Sequence, residues 1–111
     1  MALTRSYRET IREQIEGDAE FGRTMLLRAI ELLVTGEVDV GKSLLRDYIT
    51  VTIGFEKLGA RLRMPPKSLI RMFGPRGNPQ AKNLFAILSY LQKHSGTRVH
   101  VAQAKPAKRA A

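Results

Sequence analysis

The sequence has no cysteine and no tryptophan. Disulfides, thiolate metal sites and cysteine nucleophiles are therefore excluded. No stretch approaches the roughly 20 apolar residues of a membrane span. The first residues lack the charged-then-apolar pattern of a signal peptide, so export is not expected and a cytoplasmic location is the default. Histidine occurs only as His94 and His100, and no acidic residue follows Glu56. Neither histidine has a carboxylate near it in the chain, and no carboxylate pair or cluster with metal-ligand spacing is seen. No catalytic residue, metal or cofactor is expected, and the chain reads as a binding protein rather than an enzyme.

What is present is a chain of 111 residues, 43% of them hydrophobic. That is the length of one ordinary globular domain with a single modest core. The net charge of +9 is unevenly placed. Residues 1–50 carry seven Lys/Arg against nine Asp/Glu, and residues 51–96 carry eight against Glu56 alone. Residues 97–111 add four basic groups and no acid. A solvated surface normally mixes both signs. A one-signed field over half a domain suits a polyanion, either nucleic acid or an anionic membrane, although generic basicity has the same composition.

Apolar spacing and capping residues predict an all-α fold of five to six helices. The first starts near Thr4, where Ser6 and Glu9 have capping-box spacing and Tyr7, Ile11 and Ile15 recur at i+4. Gly17 ends it, and Asp18 caps a second carrying Phe21, Met25, Leu26, Ala29, Ile30, Leu33 and Val34 on one broad stripe. Gly36 suits the stop of that helix. A third helix covers about 39–50, with Val40, Leu44, Leu45, Tyr48 and Ile49 on one side. Leu58 and Leu62 mark a fourth, and Leu69, Met72 and Phe73 a fifth. Gly74-Pro75-Arg76-Gly77 reads as a loop, and Asn78-Pro79 as a helix restart with a capping Asn and Pro at the first helical position. Leu84, Ile87, Leu88 and Leu91 give that last helix a buried face, and Gly96 closes it. The organisation expected is one domain over 1–96, with N-terminal helices over 4–50 and a DNA-binding region over 51–96. A flexible basic tail, 97–111, follows, in which Arg98-Val99-His100-Val101 has the pattern of one short strand.

Two motifs stand out. Gly36-Glu37-Val38-Asp39-Val40-Gly41-Lys42-Ser43 fits the phosphate-binding pattern G-x-x-x-x-G-K-[ST]. That loop needs a buried strand before it, and here an amphipathic helix precedes. Glu37 and Asp39 would also put negative charge inside an anion cradle, so an interhelical turn is the better reading. The second motif, Ile53 to Phe73, has the pattern of a helix-turn-helix. Leu58 and Leu62 face inward from its first helix, and Leu69 and Met72 from its second. Met64 plugs the turn, Gly59 permits close approach, and Pro65-Pro66 forms the second helix's boundary. An ordinary helical hairpin uses much the same spacing, and it is the acid-free, arginine-rich exterior that favours DNA.

The run Thr52-Ile53-Gly54-Phe55-Glu56-Lys57-Leu58, with Ser68-Leu69-Ile70-Arg71-Met72-Phe73-Gly74-Pro75, Gly77-Asn78-Pro79 and Asn83-Leu84-Phe85-Ala86-Ile87, resembles the HigA-type addiction-module antitoxins. These are lambda-repressor-like (Xre/Cro-type) helix-turn-helix regulators. Ser6-Tyr7-Arg8-Glu9-Thr10-Ile11 and Leu44-Leu45-Arg46-Asp47-Tyr48 also match, so the resemblance covers about residues 4–96. It departs at Arg63, where the turn glycine usual in this motif is missing, and at Gly59, where alanine is commoner. Since turns can be made without a positive φ, Arg63 bears on the turn geometry rather than on the fold. The resemblance implies autoregulation of the protein's own operon and a RelE/HigB-type ribonuclease toxin neutralised by direct binding.

In a helix-turn-helix the second helix enters the major groove. By position, Lys67 and Arg71 are the candidates for base contacts, with Ser68 near an edge or the backbone and Pro66 as an apolar contact. Lys57, Arg61, Arg63, Arg76 and Lys82 are candidates for phosphate contacts, which position without specifying sequence. Each of these residues alone equally suits a solvated surface. One such module has a small footprint, so a homodimer on paired half-sites of double-stranded operator DNA is expected. The near-neutral first half is the candidate for toxin contact or dimerisation, or simply completes the core. Two alternatives stand. One is an RNA-binding or ribosome-associated basic protein, which usually shows aromatics for base stacking, whereas Phe55, Phe73, Phe85 and Tyr90 all read as buried. The other is a toxin-binding protein without specific operator binding.

Overall fold

In the computed structural model the structure describes residues 5–105, and these form six helices and no strand. They are α1 (Arg5–Gly17), α2 (Ala19–Val34), α3 (Val38–Val51), α4 (Phe55–Leu62), α5 (Pro66–Met72) and α6 (Ala81–Ser95). Thr4 and the side chain of Ser6, expected to open α1, lie outside the described residues, as does the tail from Pro106 onward.

The capping residues explain most of the boundaries. Asp18 precedes α2 in an extended conformation and its carboxylate accepts the Glu20 N–H at 3.0 Å. Such a bond satisfies one of the orphan amides at a helix start, worth about 1 kcal/mol. Gly36, at φ 94°, ends the passage out of α2, and Gly96, at φ 71°, caps α6. The last helix begins at Ala81 behind Gln80, which makes no side-chain cap bond, and not at Asn78-Pro79. Residues 77–80 are non-helical because Gly77 is packed beneath the end of α5 and the chain must travel before it can turn again. Asn78 is moreover biased toward extended backbone by the proline after it.

The core is one cluster drawn from α2 to α6: Leu26, Ala29, Leu45, Tyr48, Ile49, Leu58, Leu69, Phe73, Ile87, Leu88 and Leu91. Gly41 lets α2 and α3 approach closely, since a β-carbon there would lie 2.9 Å from Leu33 Cδ2. Among its described side chains the first helix contributes none that is fully buried. It leans on α2 and α3 through half-buried Ile11 and Ile15, with Ile15 seated over Gly22. Arg12 fixes its register on α3: Nε donates to the Val51 carbonyl at 3.4 Å and one terminal nitrogen to Thr50 at 3.3 Å. These are carbonyls of the last turn of α3, which lack helical partners and favour a cation.

Tyr7, Val34 and Val40, expected on the apolar stripes of their helices, are exposed, and each lies near a helix end. The strand expected over 98–101 does not form. A single extended segment has no second strand to pair with, and the Val99 N–H is taken instead by Gln92 Oε1 at 3.0 Å. No helix among the described residues is long and apolar enough to cross a membrane.

Candidate nucleic-acid interface

Helices α4 and α5 pack against each other across the three residues Arg63-Met64-Pro65. Leu58 from α4 and Leu69 from α5 are fully buried, and Phe73 just beyond α5 is tilted against Phe55 at a centroid distance of 6.3 Å. Gly59 is required where it stands. A β-carbon there would lie 2.5 Å from the Met64 carbonyl and 3.2 Å from Pro66 Cγ. The turn therefore crosses directly over Gly59, and the Met64 N–H donates back to the Gly59 carbonyl at 2.9 Å. Pro65 is extended at φ −60°, ψ 132°, and its carbonyl accepts the Ser68 and Leu69 amides at 3.0 and 3.2 Å, opening α5 without a side-chain cap.

The turn does use a positive φ, contrary to the sequence expectation. Arg63 sits at φ 56°, ψ 44°, the one left-handed non-glycine residue among those described. A β-carbon there costs roughly 1–2 kcal/mol. Arg63→Gly is expected to raise stability by about 1 kcal/mol in urea unfolding, the relief of strain being partly offset by a more flexible unfolded chain. A loss of stability on that substitution would mean that the arginine side chain stabilises the turn by more than the strain costs.

After α5 the loop 74–77 folds back beneath the helix. Gly77 packs against the carbonyl oxygens of Arg71 and Met72 so closely that a β-carbon would overlap both. From α3, Lys42 reaches into this loop. It is the buried charged residue of the core region, 5% exposed, and Nζ donates to the Gly77 carbonyl at 2.6 Å and the Gly74 carbonyl at 3.3 Å. Asp39 lies 3.9 Å from Nζ but is almost wholly solvent-exposed, so it neutralises little. Lys42 belongs to the Gly36–Ser43 segment that resembled a phosphate loop. That segment is a helix end, a turn and the first turns of α3, with Lys42 committed to backbone carbonyls.

All eight basic residues of 51–96 are exposed: Lys57, Arg61, Arg63, Lys67, Arg71, Arg76, Lys82 and Lys93. Among the described residues none of them forms a salt bridge, whereas in α2 and α3 Arg23 pairs with Glu20, Arg28 with Glu31 and Lys42 with Asp39. Lys67 and Arg71 share the outward face of α5. Ser68 is half-buried, and the half-buried Pro66 directs its ring toward Gly59 rather than outward. Arg63 stands in the turn before α5 and Arg76 in the loop after it. Lys57 and Arg61, at i and i+4 on α4, line a shallow groove with Ile53, Ala60, Tyr90 and His94. His94 stacks on Tyr90 at 6.0 Å in the last turn of α6. Lys82 lies at the other end of that helix, about 18 Å from His94 at 1.5 Å per residue. The phosphate candidates thus split between two ends of α6.

Two further features escaped the sequence reading. Ile70, 42% exposed, lies on the outward face of α5 with Lys67 and Arg71. Its spacing from Lys67 was the available signal, because Leu69, Met72 and Phe73 already supply the inward face. Phe85 was read as buried and is 63% exposed. Ile87, Leu88 and Leu91 define the buried side of α6, and position 85 falls on the opposite side. Two groups on α3 have displaced pKa values. Burial raises the Asp47 carboxyl against the pull of Arg46 and Arg8, and burial raises the Tyr48 phenol against a hydrogen bond with Ser95. Both reflect the packing of α3 against α1 and α6. Among the described residues no group of three His, Cys, Asp or Glu is placed to hold a metal ion. No protein-family model, curated protein or solved structure matches this chain.

Proposed function

We propose that this protein is a sequence-specific double-stranded DNA-binding regulator that presents α5 to the major groove. The observation behind this reading is the unpaired basic surface built around the α4–turn–α5 unit, with Lys67 and Arg71 on the outward face of the second helix. A helix is about 10–12 Å across with its side chains, which fits a major groove about 12 Å wide. Lys67 and Arg71 offer donors for guanine O6 and N7, while Arg63, Arg76, Lys57 and Arg61 are assigned to phosphates. Lys82 joins them if the duplex extends along α6. Ser68 is left a backbone or edge contact, and Pro66 a structural one.

The family resemblance extends the proposal to an antitoxin of a type II toxin–antitoxin module. Such a protein represses its own operon as a dimer and neutralises a RelE/HigB-type toxin, with toxin contact or dimerisation assigned to the near-neutral first half. Exposed Phe85 gives the RNA alternative one ring. Single-stranded nucleic acid is usually held by several successive rings, so duplex DNA is preferred.

Base and phosphate contacts separate in titration. Lys67→Ala and Arg71→Ala are expected to lower affinity for the specific duplex about 10- to 100-fold and to erase its advantage over a scrambled one. Lys57→Ala and Arg76→Ala are expected to weaken both duplexes alike and to reduce the slope of log affinity against log salt by about 1 each. Equal losses on both duplexes for all four variants would refute the assignment of α5 to base reading.

A further inference from the structure

The outward face of α5 carries one side chain that charge does not explain. Lys67, Ile70 and Arg71 fall within about 100° of one another around the helix axis. Ile70 is 42% exposed, and the core beneath is filled by Leu69 and Phe73 from the same segment. A single exposed aliphatic is ordinary on a protein surface, so its placement is what matters. Around the helix axis it lies about 60° from Lys67 on the side away from Arg71, flanking the two cations best placed to reach base edges.

Isoleucine has no donor or acceptor to offer a base. The major-groove edges present acceptors, amino groups and one apolar group, the C5-methyl of thymine. On a helix seated in that groove, Ile70 has only that methyl to contact favourably. Every other base edge would leave a polar group desolvated against it. We infer that Ile70 is a specificity-determining residue of the duplex site, selecting a thymine through its 5-methyl group beside the base read by Lys67 or Arg71. This inference rests on the major-groove reading of α5 proposed above.

The test separates the two. The full-length protein and its Ile70→Ala and Ile70→Val variants are used to select bound duplexes from a randomised double-stranded library. Each thymidine of the selected duplex is then replaced in turn by deoxyuridine, which removes only the methyl. For the wild-type protein one replacement is expected to lower affinity about fourfold, the worth of one buried methyl group. The same replacement is expected to cost Ile70→Ala nothing further, and Ile70→Val is expected to keep most of the discrimination. Thermal melting of each variant checks that the fold is retained, which the exposure of the side chain predicts. If a sequence is selected but no deoxyuridine substitution matters, or the penalty is unchanged in Ile70→Ala, the inference is overturned while the groove reading stands. If selection yields no preferred sequence, both fall together.

Discussion

Gly77→Ala is expected to destabilise the protein by about 3 kcal/mol or more, enough to leave a marginal domain largely unfolded. The reason is steric rather than conformational, for Gly77 is not among the positive-φ glycines. A β-carbon there overlaps the carbonyl oxygens of Arg71 and Met72, and these are backbone atoms of α5 that no rotamer change can move aside. Either the loop lifts away from α5 or the end of α5 shifts. Gly36→Ala is the matched control: it has a φ of 94° with open space around it, so only backbone strain of about 1 kcal/mol is added. Urea unfolding of the two variants beside wild type tests the difference. A Gly77→Ala cost no greater than that of Gly36→Ala would show that the loop is not held against α5 as described.

Lys42→Met is expected to cost about 2–3 kcal/mol, although methionine keeps the aliphatic stem and most of the packing. The loss is of donors. The Gly74 and Gly77 carbonyls would face a buried thioether in place of the ammonium group that now serves both. The expectation carries a functional corollary, because the same loop carries Arg76 and braces the end of α5. At temperatures where Lys42→Met is still folded, it should weaken duplex binding although Lys42 itself is buried and touches no ligand. Unfolding by less than about 0.5 kcal/mol relative to wild type would mean that water replaces the lysine at those carbonyls.

Lys42 also marks where sequence reading reaches its limit. The caps at Asp18, Gly36 and Gly96 are local events between neighbours in the chain, and the inward stripes of α2 to α6 follow from helical periodicity. The crossing over Gly59 could be inferred for the same reason, since the turn and both helices lie within 20 residues. The bonds from Lys42 to Gly74 and Gly77 span 32 and 35 residues, and no local pattern announces them. The same distance hides why the last helix starts at Ala81: the strong start pattern at Asn78-Pro79 is overridden by packing of Gly77 under α5. The positive φ at Arg63 was missed because a residue type that disfavours that conformation gives no sign of adopting it. At the surface, Phe85 was assigned by residue type before the orientation of its helix was known, and no local pattern was read as placing Ile70.

The central claim is that α5 reads duplex sequence, and binding to the DNA upstream of the protein's own gene tests it most directly. Wild-type protein is titrated against that duplex and a scrambled duplex of equal length and composition at two salt concentrations. The account predicts tighter binding to the upstream duplex at both, with the preference retained as salt weakens the phosphate contribution common to the two. Equal binding to both duplexes, lost together at the higher salt, would contradict it and leave the basic half as a nonspecific polyanion surface.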